Sequence, residues 1–173
     1  MSSIELILLG FVQGITEFLP ISSSGHLLIS RKFFNVQHYG LLLEVALHVG
    51  TLFSILIFWR GDYFEEIKKI SLKKNNLFLK VIVGTIPAGI LGLLYKNKLN
   101  DLFFDINSIK YLIYSYSFMT LLLFSSKYFF NNVNKRISIK NAFLIGIAQS
   151  FAMIPGISRS GLTIIVALFL GIE

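Results

Sequence analysis

The chain has 173 residues, 54% hydrophobic and 14% charged, against about 25% charged in soluble domains, which excludes an ordinary water-soluble domain and implies a membrane protein. Sixteen Lys and Arg against nine Asp and Glu give a formal charge of +7, but the basic residues fall in short loops between apolar runs, so they read as topology signals and not as a nucleic-acid surface. Cysteine is absent, which excludes disulfides and thiolate metal sites.

The first apolar run, residues 4–21, carries no basic leader and contains Glu5, Gln13 and Glu17, so it does not read as a cleavable signal peptide. It breaks at Pro20 and at Ser22-Ser23-Ser24-Gly25-His26, and a second short run, Leu27 to Phe34, ends on Arg31 and Lys32. Two half-length helices around a polar turn predict a re-entrant hairpin over residues 1–40, since such a turn is tolerated at depth only where protein or water satisfies its backbone. Three transmembrane helices are predicted within 41–130: Leu41 to Trp59, Leu77 to Tyr95 with a kink at Pro87 and Gly89, and Ile109 to Phe130. The loops around 60–80 and 127–140 share a side and hold ten Lys and Arg, including Lys68, Lys69, Lys73 and Lys74. The other side has five, so the first pair is assigned to the cytoplasm and residues 1–40 to the outer face.

The last segment, 141–173, is predicted as a second re-entrant hairpin. Its turn, Pro155-Gly156-Ile157-Ser158-Arg159-Ser160-Gly161-Leu162-Thr163, sits between apolar runs too short to cross a bilayer. An arginine at membrane depth usually faces a partner or a wet cavity. With glycines that permit close backbone approach and N–H groups that can form a nest, the natural guest is a phosphate. The plain alternative is a solvated turn with a snorkelling arginine.

Gly10, Gln13, Ser22, Ser24 and Gly25 recur 136 positions later as Gly146, Gln149, Ser158, Ser160 and Gly161. With three spans between them, two such hairpins enter from opposite faces, an incomplete inverted repeat with polar tips near mid-membrane. The fold class is therefore all-α and polytopic, in a single membrane domain.

Gln13 and Glu17, four apart on one helix face, could hold a divalent cation beside a phosphate; Glu17 could instead be a general base, or the pair a bundle hydrogen bond. Ser22, Ser23, Ser24 and His26 offer parts for nucleophilic or acid–base chemistry, or simply a Ser-rich helix start. Glu44 and His48 read as an ion pair or polar packing rather than catalysis. His38 reads as a loop residue without chemistry. The Phe- and Tyr-rich run 118–130 reads as lipid-facing, with a prenyl groove as the lesser reading.

Gln13-Gly14-Ile15-Thr16-Glu17-Phe18-Leu19-Pro20-Ile21-Ser22-Ser23-Ser24-Gly25-His26 resembles the first motif of the undecaprenyl-pyrophosphate phosphatases of the bacitracin-resistance type, and Pro155 to Thr163 is similar to that family's second motif. Leu47 to Thr51 and Thr85 to Ala88 look similar as well. The resemblance implies a multi-pass enzyme of the bacterial inner membrane that removes the terminal phosphate of a polyprenyl pyrophosphate and regenerates the carrier for peptidoglycan synthesis. By the resemblance Glu17, Ser23, His26 and Arg159 are catalytic, with Ser23 and His26 rival nucleophiles. Ser24, Gly156, Ser158, Arg159, Ser160 and Thr163 bind substrate, and Gln13 and Glu17 hold a divalent cation, Mg²⁺ or Ca²⁺. Expected partners are the lipid substrate, membrane lipids and, as an open alternative, a second copy of the chain; no nucleic acid is expected. Family members continue with further spans, so the chain is expected to be a fragment or a reduced form needing another subunit. An inverted-repeat transporter or lipid flippase is the rival function.

Overall fold

A computed structural model describes residues 3–36, 41–61, 77–104, 109–128 and 135–172. All regular elements among them are helices: α1 (Ser3–Thr16), α2 (Ser23–Phe33), α3 (Leu41–Phe58), α4 (Leu77–Leu94), α5 (Lys96–Phe104), α6 (Ile109–Ser126), α7 (Ile139–Phe151) and α8 (Arg159–Phe169). His38, Lys68, Lys69, Lys73, Lys74, Phe129 and Phe130 lie outside the described residues. An isolated bridge between Lys135 and Ile172 ties the approach of α7 to the end of α8.

Of the three expected crossings, α4 is the one helix among the described residues long and apolar enough to span a bilayer. It runs through Pro87 without interruption. Helix α3 is apolar, its stretch Leu42–Phe58 one residue shorter than α4, and α6 has the length but carries Tyr111, Tyr114, Tyr116 and several serines, which lower its hydropathy. Helix α5 occupies what the sequence suggested to be a loop; Lys96 and Lys98 in a short polar stretch hid it.

The exterior is densely apolar. Ile7, Phe11, Leu42, Phe58, Phe78 and Leu93 are all strongly exposed, far more than a water-soluble surface carries, and the pattern suits lipid contact. The buried core is small and centres on Met119, Ala152, Ile157, Leu162 and Ile165, where α6 meets α8 and the turn before it.

Two helical hairpins organise the rest. In the first, α1 packs on α2; in the second, α7 packs on α8. Adding 136 to the bounds of α2 gives 159–169, the bounds of α8, and adding 136 to those of α1 gives 139–152 against the observed 139–151. The repeat read in the sequence is thus a repeat of helices. Helix α7 lies along α4 with backbones in contact: a Cβ at Gly146 would collide with the Gly84 carbonyl oxygen, and one at Gly84 would sit 3.2 Å from the Ala142 carbonyl oxygen. Small residues that let helices approach this closely are the usual means of helix association in lipid, where no hydrophobic drive operates.

Candidate functional site

The turns of the two hairpins meet. The Gly156 N–H donates to Ser22 Oγ over 3.1 Å. A Cβ at Gly25 would fall 3.1 Å from the Gly156 nitrogen, and one at Gly161 would fall 3.2 Å from Pro20 Cβ. These contacts are reciprocal: Gly161 is Gly25 plus 136, and Gly156 is Pro20 plus 136. A pair in which i touches j′ and i′ touches j is what a two-fold relation between two units produces. Helix α6 forms a floor under both turns, with Ser115 against Gly156, Tyr116 against Gly25 and Met119 against Gly161.

Backbone geometry at the turns is tight. Gly156 has φ +91°, a region L side chains rarely enter, and its Cβ would in any case meet Ser115 at 2.6 Å. Ser22, a non-glycine residue, has φ 66°, a strained conformation that persists only when neighbours over-determine it. Its carbonyl accepts from the His26 backbone N–H at 3.3 Å and lies 2.8 Å from His26 Nδ1, and its hydroxyl is 3.2 Å from Ser24 Oγ. The same hydroxyl pair recurs in the second hairpin as Ser158 and Ser160, again 3.2 Å apart.

A cavity of about 660 Å³ opens beside this junction. Thr16, Glu17, Ser23 and Ser24 line it from the first hairpin, Ser158, Arg159, Ser160 and Thr163 from the second, and Glu44 and His48 from α3. Ser23 and Ser24 belong to the first turn of α2, and Arg159 and Ser160 to the first turn of α8. Two helix N-termini, each a positive dipole end, therefore open onto one cavity, an arrangement suited to an anion.

Glu17 is the hub. Its Oε2 accepts from Gln13 Nε2 at 3.0 Å and from the Ser23 hydroxyl at 2.5 Å, and it lies 3.5 Å from His48 Nε2. Arg159 is exposed to the cavity, and among the described residues its guanidinium takes part in no ion pair. On the far wall Glu44 lies 3.6 Å from Arg31, both nearly buried.

The structure brings most of the sequence-derived residues together, but not all of them. Gln13 is fully buried behind Glu17 and touches the cavity only through it. The Gly156 N–H is taken by Ser22 and so does not point at a ligand. Ser158 spends its hydroxyl as the N-cap of α8, accepting from the Gly161 N–H at 3.2 Å. The Thr163 hydroxyl donates back to the carbonyls of Arg159 and Ser160. His26 is not on this cavity. It lines a second pocket with Pro20, Ile21, Ile29, Tyr116 and Met119, and its Nδ1 is 3.0 Å from the Tyr116 hydroxyl. Two residues not assigned to the site from sequence do face the main cavity: His48, four residues after Glu44 on α3, and Glu44 itself. Their i, i+4 spacing was the available signal, and it also describes an ordinary helix pair. Among the described residues there is no group of three or more His, Cys, Asp or Glu side chains poised for a metal.

A family model described as bacitracin resistance protein BacA matches residues 6–173. The chain is 38% identical to the undecaprenyl-diphosphatase of Halothermothrix orenii, over all of this chain and 66% of that relative. It is 41% identical to undecaprenyl-diphosphatase 4 of Bacillus thuringiensis strain Al Hakam, over 98% of this chain and 64% of that one. It is 44% identical to the undecaprenyl-diphosphatase of Thermosipho melanesiensis, over 96% and 67% respectively. The chain thus spans about two-thirds of the length of the curated relatives it matches.

Proposed function

The chain belongs to the bacitracin resistance protein BacA family, and from that premise we propose that it acts in a membrane phosphatase that hydrolyses undecaprenyl pyrophosphate to undecaprenyl phosphate and inorganic phosphate. The product would return to peptidoglycan synthesis as lipid carrier. The observation that carries this reading is one cavity lined both by Glu17, whose carboxylate accepts from the Ser23 hydroxyl, and by Arg159, which makes no ion pair among the described residues.

A hydroxyl is a weak nucleophile until a neighbouring base takes its proton, and Glu17 already accepts that hydrogen bond. In the proposed reaction Ser23 Oγ attacks the terminal phosphorus as its proton passes to Glu17. The bond to the bridging oxygen breaks and Glu17 passes the proton to the departing undecaprenyl phosphate, leaving a phosphoserine and a free carboxylate. Glu17 then takes a proton from a water that attacks phosphorus, and returns it to Ser23 Oγ as the phosphoserine bond breaks and inorganic phosphate leaves. Arg159, with its planar fork of donors, would clamp the equatorial oxygens and stabilise the charge that builds on them. The first-turn N–H groups of α2 and α8 would add fixed partial positive charge. His26, facing the other pocket, is assigned to holding the Ser22 turn through Nδ1 rather than to attack on phosphorus. Apolar walls from Leu19, Val45, Val49, Leu52, Met153 and Ile157 would take the first isoprene units.

Glu17 and Gln13 would hold a divalent cation, Mg²⁺ or Ca²⁺. The residues fit in two respects: the buried Gln13 Oε1 has no hydrogen-bond partner among the described residues, and Mg²⁺ characteristically takes one or two carboxylates and completes its shell with phosphate oxygens and water. Bound there, the cation would neutralise charge on the pyrophosphate.

The hairpins are assigned as re-entrant. At about 1.5 Å per residue, α1 and α2 reach about 21 and 16 Å, short of a hydrocarbon core about 30 Å thick. Opposed entry of the two hairpins, a multi-pass inner-membrane location and a second copy of the chain as partner belong to the same reading. The test is phosphate release from a polyprenyl pyrophosphate by the purified chain in liposomes, without any ion gradient. Release that is lost with Arg159→Ala supports the enzyme. Gradient-driven movement of intact lipid would favour a transporter instead.

A further inference from the structure

Glu17 and His48 face each other in a way that a neutral imidazole does not close. His48 Nδ1 is 2.8 Å from the backbone carbonyl oxygen of Glu44. A carbonyl only accepts, so this contact takes the proton on Nδ1. A neutral imidazole has one N–H, and Nε2 is left with a lone pair directed at Glu17 Oε2, 3.5 Å away. That oxygen is itself an acceptor, already serving Gln13 and Ser23. Two opposed acceptors call for a positive charge between them, either a second proton on the imidazole or a metal ion. Behind them the Gln13 Oε1 is buried and, among the described residues, without a hydrogen-bond partner. An amide oxygen and nitrogen exchange places when the group turns over, and a Gln13 oxygen turned towards Glu17 would need the same ion.

We propose that Glu17 and His48 Nε2 together bind a divalent cation, with the Gln13 amide oxygen as a third ligand and the Glu44 carbonyl fixing the His48 ring. This builds on the cation role of Glu17 above and adds an imidazole from a separate helix. A metal-binding histidine almost always donates its second ring N–H to a carbonyl or carboxylate, as His48 does here. Two ligands about 2.0–2.2 Å from a shared ion lie about 3 to 3.6 Å from each other, and the Nε2 to Oε2 separation is 3.5 Å. Glu44 contributes its backbone only, since its carboxylate is engaged with Arg31. A mixed set with one imidazole suits Mn²⁺ or Zn²⁺ better than the all-oxygen preference of Ca²⁺. Substrate phosphate oxygens would fill the open positions facing the cavity.

The experiment uses the whole chain, free of any tag, purified in detergent, stripped with chelator and titrated with Mn²⁺. Pulsed electron paramagnetic resonance then looks for a directly bound imidazole nitrogen. The expected result is one tight Mn²⁺ site with a nitrogen signature, which disappears in His48→Gln while affinity falls about tenfold or more. The wild-type signature needs no variant, so a misfolded mutant cannot obscure it; helical content by circular dichroism qualifies the variant. Mn²⁺ bound without nitrogen, a nitrogen signal that survives in His48→Gln, or no Mn²⁺ binding would each overturn the proposal. Phosphate release measured on the same sample separates the two readings. Release with no nitrogen signature removes the His48 ligand and leaves the phosphatase standing; nitrogen-ligated Mn²⁺ with no release does the reverse.

Discussion

Ser22 and Gly156, 134 positions apart, are joined by a hydrogen bond from the Gly156 N–H to the Ser22 hydroxyl, and its repeat counterpart cannot form. Position 20, equivalent to Gly156, is proline and has no N–H to give Ser158. Ser158 therefore caps its own helix, while Ser22 leaves α2 without a side-chain cap and reaches across. One missing proton makes two like turns unlike. Ser22→Ala is expected to orphan the buried Gly156 N–H, at about 1–3 kcal/mol, and Gly156→Ala to cost more because φ and Ser115 both oppose a Cβ. Thermal unfolding in detergent would rank them. An equal or smaller loss for Gly156→Ala would contradict this account of the junction.

Arg159 is expected to be intolerant even of lysine. A point charge lacks the two parallel N–H groups that grip a phosphate. Arg159→Lys should lower kcat by about 10²-fold or more, comparable to loss of a preorganised donor to a developing oxyanion. Steady-state phosphate release checks this, and turnover within about threefold of wild type would sink the fork argument.

Ser23 and His26 should separate by substitution. Ser23→Ala removes the hydroxyl that donates to Glu17 and is expected to abolish release. His26→Asn keeps a side-chain amide near the Ser22 carbonyl and should retain more activity than His26→Ala. If instead both His26 variants are as dead as Ser23→Ala, His26 takes part in the chemistry and does more than hold the turn.

The two equivalent glycines Gly10 and Gly146 should respond differently to alanine. At Gly146 the new methyl meets the Gly84 carbonyl, whereas at Gly10 the nearest atom is Leu47 Cδ2 at 3.9 Å. Gly146→Ala is expected to destabilise by about 1–3 kcal/mol as overpacking, and Gly10→Ala to be neutral or slightly stabilising through helix propensity. Unfolding midpoints of the two variants give the comparison directly.

Breaking the Arg31–Glu44 pair should be costly. Its side chains are 5% and 10% exposed, and removing the carboxylate takes a buried countercharge away from Arg31, at about 3–5 kcal/mol. Glu44→Ala is therefore expected to unfold more readily than the double variant Arg31→Met with Glu44→Leu. A double variant less stable than the single one would mean the pair contributes net stability.

The helices were legible because apolar runs and polar breaks map directly onto them: the expected Leu77–Tyr95 differs from α4 by one residue. The 136-residue offset was legible because Gly, Gln and Ser occupy the same places in both turns. Helix α5 was missed because a short polar stretch with lysines has no apolar periodicity to announce it. Arg31 was counted with Lys32 among the basic residues of the outer side, yet it is buried against Glu44.

Which residues carry the chemistry-bearing groups, and in which turns, was determined by local sequence alone, because a polar cluster inside an apolar run has few other uses. Which of those groups share a cavity was decided only by tertiary packing. His26 and Ser23 are three residues apart on one helix, a spacing that by itself puts them on one side, yet contact with Tyr116 on α6 draws His26 away from Glu17. His48 arrives from a separate helix, and no spacing along the chain encodes where that helix packs.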